Sequence, residues 1–239
     1  TMIFTSTMAA DIMFYSLIEW ALYGAEPHVA ELGKMQLWAP TFPLFHWGPL
    51  AWGFYVVLAI SFAFMMHVRK RERQRFSEAV RPLIGDRVDG PWGKVIDIVA
   101  VFAMVCATAT TFSLATPLLA SALASVFGIS TSVTLTIGIL LLICAVYTIT
   151  VLLGMNGISK LASFCSYMFF AILFYFLFLG GETRYIVETG FQSFGNMVQN
   201  FIGLSTYMDP LRENNFPQTW TIYYWAYWLV WCIATPFFI

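Results

Sequence analysis

Seven aromatic residues, Trp220, Tyr223, Tyr224, Trp225, Tyr227, Trp228 and Trp231, crowd one apolar stretch near the end of the 239-residue chain. Membrane helices usually keep Trp and Tyr at their ends, where the ring is half wet. Here the rings run through the stretch. Trp220, Tyr224, Tyr227 with Trp228, and Trp231 recur at helical spacing, so they form one stripe. Electron-rich ring faces attract a bulky cation that cannot donate hydrogen bonds. A quaternary ammonium group, held by cation–π attraction, fits that description.

A second group opens the chain. Residues 5–11 read Thr-Ser-Thr-Met-Ala-Ala-Asp, small and polar inside an apolar run. Small residues permit close backbone approach, and Ser and Thr can satisfy carbonyls where a helix opens. Asp11 is ionisable within that run, which is costly and marks a functional site by default. It could face a substrate cation, carry a proton or help a sodium site. The alternative is a structural carboxylate bonded to neighbouring hydroxyl or backbone groups. Glu19, near the outer end of the same run, reads as interfacial. Trp47 and Trp52 flank Gly48-Pro49, a pair that marks a helix start. One Trp could cap the other, or both could belong to an interfacial aromatic belt. His46 beside them reads as a structural histidine. Thr108, Thr110, Thr111, Ser113 and Thr116 precede Pro117. Their hydroxyls could coordinate sodium, but bonding back to their own helix carbonyls is the favoured reading.

These groups need membrane helices to position them. The chain is 59% hydrophobic and 10% charged, with mean hydropathy +0.74, whereas a soluble domain carries about 25% charged residues. Six spans are predicted, at 1–24, 47–67, 95–127, 132–153, 161–180 and 220–239. The loop after the second holds Arg69, Lys70, Arg71, Arg73, Arg75, Arg81, Arg87 and Lys94, eight of the twelve basic residues. The positive-inside rule places it in the cytoplasm, and loops 25–46 and 181–219 outside. The basic loop reads as topology alone, with contact to anionic lipid headgroups as the sharper alternative. Residues 182–204 are amphipathic and read as a surface helix in the outer interface. Gly154-Met155-Asn156-Gly157 reads as a plain turn. Cys106, Cys144, Cys165 and Cys232 read as small buried residues, neither disulfides nor ligands, and the three histidines lack metal-ligand spacing. With a net charge of −1 and no basic domain, a nucleic-acid partner is set aside. The chain starts and stops inside apolar runs, which reads as a fragment of a longer transporter.

The segments FPQTWTIYYWAYWLVW (216–231), FHWGPLAW (45–52) and TTFSLATPL (110–118), with the first span and its IEW, resemble the betaine/carnitine/choline transporter family. The resemblance runs through nearly the whole chain. It implies an all-α polytopic membrane protein with an inverted-repeat core of the type shared with sodium-coupled amino-acid transporters, truncated to about six transmembrane helices. Residues 1–180 would form the first five-helix repeat, 181–219 an extracellular interfacial helix and loop, and 220–239 the first helix of the second repeat. Matched residue by residue, Tyr227, Trp228 and Trp231 would form the aromatic box. Trp220 and Trp225 would lie on the access path, and Trp47 and Trp52 near the substrate. The unwound stretch around Met8 would line the opposite wall.

Three departures from the family pattern bear on coupling. Thr7, Ala9 and Asp11 stand where sodium-coupled betaine symporters carry GxGxG, and proton-coupled choline carriers share the Asp. The fixed arginine of the carnitine antiporter has no counterpart near Cys165 and Ser166, and its Met on the aromatic helix matches Thr235. Sodium-independent antiport is thereby disfavoured. The expected function is secondary transport of a quaternary ammonium compound, by symport or exchange. The alternative is a non-transporting sensor of the same fold. The expected protein is no enzyme and has no cofactor or metal, with Na+ or H+ as coupling ion. It would lie in the cytoplasmic membrane with lipids as partners, as a homotrimer by resemblance.

Overall fold

The computed structural model describes residues 9–234, and they are helical with no strand among them. In chain order the helices are α1 (Ala9–Gly24), α2 (Pro27–Leu32), α3 (Met35–Trp47), α4 (Pro49–Ala63), α5 (Phe76–Ala79), α6 (Arg81–Ile84), α7 (Pro91–Phe127), α8 (Val133–Leu152), α9 (Gly154–Phe174), α10 (Thr183–Gln199), α11 (Phe201–Thr206) and α12 (Ile222–Trp231). Single π-helical turns extend α4 (Phe64–Val68) and α9 (Tyr175–Leu179) and precede α12 (Pro217–Thr221). Among the described residues, four segments are long and apolar enough to cross a membrane: Met35–Val68, Pro91–Phe127, Val133–Leu152 and Gly154–Leu179.

Two helices start earlier than the sequence predicts. The second span begins at Met35, because α3 is helical through Pro40 and Pro43. Thr41 bonds back to the Leu37 carbonyl at 2.6 Å. The supposed turn at 154–157 is the first turn of α9. Only Leu153 and Gly154, at φ 70°, turn the chain there. Pro117 leaves α7 a single 37-residue helix.

The chain divides into two compact units, one of residues 1–14 and 105–173, the other of 15–104 and 174–239. The first packs through small residues. Among the described residues, its buried positions are Ala107, Thr116, Ala120 and Ala124 of α7 and Ala162 and Ser166 of α9, with Ile139 and Phe169. Small side chains let helix backbones approach closely, which suits packing in lipid, where apolar contact alone gives no preference for a partner helix.

The second unit is built inside out relative to a soluble protein. On α1, Glu19 and Tyr23 are buried one turn apart, while Leu17, Ile18, Trp20 and Leu22 are exposed. On α10, Ser193 and Met197 are buried and Phe191 and Phe194 are exposed. Asn196 of α10 donates to Thr41 of α3 at 3.1 Å, and Gln36 bonds Tyr185. α10 therefore turns its hydrogen-bonding side to α3 and its phenylalanines outward, as an interfacial helix does. Tyr23, Val29, Ala39, Phe42, Phe45, Met197, Leu204 and Phe216 form the core beneath. The turn after α11 is drawn together by Asp209, whose carboxylate accepts from the Asn214 N–H at 3.0 Å and the Asn215 N–H at 3.3 Å.

The basic segment after α4 is folded. Ser77 donates to Asp97 of α7 through its N–H (2.9 Å) and its hydroxyl (2.8 Å). The Arg81 fork grips the buried Glu78 at 2.7 and 2.9 Å and reaches Asp86 and Asp89. That fork holds the Glu78 carboxyl below its ordinary range.

Candidate functional site

The site is assembled at a break. α3 ends at Trp47, Gly48 takes φ −94° and ψ −108°, and Pro49 opens α4. Pro suits a first helical position, where its missing N–H would have had no partner. A helix end leaves its last carbonyls without intrahelical donors. The indole N–H of Trp228 donates to one of them, His46 O, at 2.8 Å. The break in one helix thus fixes the ring of another.

Around that bond the rings are in contact. Trp47 meets Trp228 edge to face, with centroids 5.0 Å apart. Tyr224 stacks on Trp228 at 6.1 Å and 16°, and Tyr55 meets it edge-on at 6.1 Å. Tyr227 lies 5.1 Å from Trp228 and 6.4 Å from Trp231. Trp228 is fully buried, and Trp231 is 7% exposed. The indole N–H of Trp231 is buried with no partner among the described residues.

The predicted box residues Tyr227, Trp228 and Trp231 are therefore brought together, and Trp47 joins them. Trp220 continues the row: it lies 4.1 Å from Tyr23 and 6.4 Å from Tyr224, and its N–H donates to Glu26 at 2.7 Å. Trp52 and Trp225 sit elsewhere and are about half exposed. Trp52 touches Tyr55. Trp225 touches Phe54 and borders an open apolar groove of about 690 Å³ lined also by Val57, Phe76, Phe201 and Leu229. Met8 and Thr235 lie outside the described residues. Asp11 falls within α1, but its side chain lies outside them too.

The residue that organises the cluster is Glu19. The sequence reading placed it at the interface, yet it is 2% exposed. Its carboxylate accepts from the Trp47 N–H at 2.8 Å, the Tyr23 hydroxyl at 3.3 Å and the Tyr224 hydroxyl. A buried carboxyl needs such donors, since an unpaired one would carry a heavy desolvation penalty. Three helices supply them, and Glu19 ties α1, α3 and α12 together. The signal was present: a carboxyl in an apolar run is a site candidate wherever it falls. His46 is buried and bonded as expected, by Tyr23 at 2.5 Å and Thr221 at 3.1 Å.

Two of the α7 hydroxyls follow the favoured reading. Thr110 and Ser113 bond back to the carbonyls of Cys106 and Thr110, at 2.9 and 2.8 Å. The hydroxyls of Thr116 and Ser166 are buried with no partner among the described residues. Cys165 is exposed and Cys232 buried, so burial holds for Cys232 but not for Cys106, Cys144 and Cys165, which face outward. In a chain of membrane helices an outward side chain meets lipid or another helix, so an apolar thiol is tolerated there. Among the described residues no cluster of His, Cys, Asp or Glu could hold a metal ion.

One family model, described as BCCT, betaine/carnitine/choline family transporter, matches residues 1–239. The chain belongs to that family. Members of the BCCT family are transporters, so the chain is a multi-pass membrane protein whose aromatic cluster stands in a transporter fold.

Proposed function

We propose that this protein carries a quaternary ammonium compound across the cytoplasmic membrane by ion-coupled symport or substrate exchange, with glycine betaine, carnitine, γ-butyrobetaine and choline as the substrate class. The carrying observation is the continuous cluster of Trp47, Tyr224, Tyr227, Trp228 and Trp231 at a broken helix, in a BCCT chain. Trp228, Trp231 and Tyr227 hold the cationic head.

A cation–π contact places the cation within about 6 Å of each ring centroid. Trp47 and Trp228, edge to face at 5.0 Å, leave no room between them for a trimethylammonium group. The described arrangement is then the closed one, and binding requires Trp47 and Trp228 to part. The two rings stand on separate helices, Trp47 at the end of α3 beside the Gly48 break and Trp228 on α12.

The test is uptake of labelled glycine betaine, choline and carnitine by the intact protein in liposomes. A sodium gradient, a proton gradient and unlabelled internal substrate are compared. Gradient-driven accumulation makes it a symporter, and uptake only against internal substrate makes it an exchanger. No uptake of any of the three in any regime, together with no binding, removes the reading.

A further inference from the structure

Four polar side chains form one line through the apolar core of the second unit. Thr221 Oγ1 lies 3.1 Å from His46 Nε2. His46 Nδ1 lies 2.5 Å from the Tyr23 hydroxyl, which lies 3.3 Å from Glu19 Oε1. Glu19, Tyr23 and His46 are each at most 2% exposed. Thr221, half-buried, closes a π-helical turn on the side of the 25–46 and 181–219 segments. Such turns are frequent at functional sites.

The Tyr23 hydroxyl has one proton and two neighbours that could accept it. The line therefore has two complete hydrogen-bonding patterns. In one, Glu19 is a carboxylate, Tyr23 donates to it, His46 Nδ1–H donates to Tyr23, and Thr221 donates to Nε2. In the other, Glu19 is protonated and donates to Tyr23, Tyr23 donates to Nδ1, and His46 Nε2–H donates to Thr221. The patterns differ by one proton and by the histidine tautomer. A proton arriving at Nε2 drives the Nδ1 proton onto Tyr23 and the Tyr23 proton onto Glu19. Each group ends neutral, and one O–H bond has formed on Glu19.

We propose that Thr221, His46, Tyr23 and Glu19 are a proton relay that couples proton entry to opening of the aromatic cluster. The proposal rests on the transport reading above. Glu19 is the link because it also holds Trp47 and Tyr224. A hydrogen bond to a carboxylate is about twice as strong as one to a neutral group. Protonation therefore loosens both rings, and Trp47 is the ring that must leave Trp228 for a cation to enter. The other ionisable groups facing the line are Tyr15 on α1, whose ring touches Trp47, Tyr224 on α12, and Glu26, bonded to Trp220. Asp11 on α1 belongs to the same helix.

The experiment uses the intact protein in sodium-free liposomes with an imposed pH gradient. Wild type, Glu19→Gln and Tyr23→Phe are compared for substrate binding by tryptophan fluorescence, for gradient-driven uptake and for substrate-for-substrate exchange. Tyr23→Phe cuts the line but leaves Glu19 with Trp47 and Tyr224, so it serves if Glu19→Gln does not fold. The expected result is that both variants lose gradient-driven uptake by about tenfold or more, the usual scale of a coupling between two sites. Exchange falls far less. Infrared spectra recorded over pH, without substrate, should show a protonated-carboxyl band that is absent in Glu19→Gln. Gradient-driven uptake surviving in Tyr23→Phe, uptake in wild type that ignores the proton gradient, or a carboxyl band unchanged in Glu19→Gln each overturns the relay. Loss of binding and exchange in wild type overturns the transport reading, and the infrared result still decides whether Glu19 takes a proton.

Discussion

Trp228 has its ring faces and edges against Trp47, Tyr55, Tyr224 and Tyr227, and its one polar atom is committed to His46 O. Trp228→Phe keeps a ring and removes the N–H, leaving a buried carbonyl without its donor. Such a loss costs about 1–3 kcal/mol, whereas Trp228→Ala adds a cavity and costs about 3–5 kcal/mol. Thermal unfolding in detergent should rank them in that order, with cation binding weakened in both. The stripe at helical spacing was legible because α12 is regular and its buried positions are Tyr224, Trp228 and Trp231. The role of Glu19 was not, because two of its three donors, Trp47 and Tyr224, lie on other helices. Tyr224 is 205 positions away, and only folding brings it near.

The junction of α3 and α4 depends on Gly48 lacking a side chain. A Cβ there would lie 2.3 Å from the Leu44 carbonyl oxygen. Gly48→Ala must therefore shift the backbone that carries His46 and Trp47, at a cost of about 1–3 kcal/mol for overpacking. Uptake should fall together with the unfolding midpoint. Gly-Pro announced this helix start in the sequence, but Pro40 and Pro43 hid the helix before it. Prolines argue against helix when read alone, whereas α3 is supported along its length by α2 and α10. The folded basic segment gives a pH prediction. The Arg81 hydrogen bonds hold the Glu78 carboxyl below its usual 4.5, so the unfolded chain takes up that proton first as pH falls. The stabilisation is complete above pH 4.5 and is lost as pH drops through the lower folded-state value. The unfolding midpoint, followed from neutral to acid pH, should decline there, and Glu78→Gln should flatten that decline.

At the scale of the molecule, composition and basic-residue placement were enough to read a helical membrane protein, because long apolar runs have few other stable forms. The inward placement of polar residues was not readable from hydropathy, which ranks segments and not faces. Glu19, Tyr23, Ser193 and Asn196 all point inward from helices whose outer faces are apolar. The bonds that close this core join distant parts of the chain: Asn196 to Thr41, Thr221 to His46, Trp228 to His46 and Tyr224 to Glu19 span 155, 175, 182 and 205 positions. Synthesis runs from the N-terminus, so α1 enters the bilayer long before α12 exists. Until then the Glu19 carboxyl has no Tyr224 and the His46 carbonyl has no Trp228. The newborn α1 and α3 must wait, partly unsatisfied, for the ribosome to reach the aromatic helix. Chains arrested before residue 217 should accordingly be cleaved readily within α1–α4, and chains extended past residue 231 should become resistant.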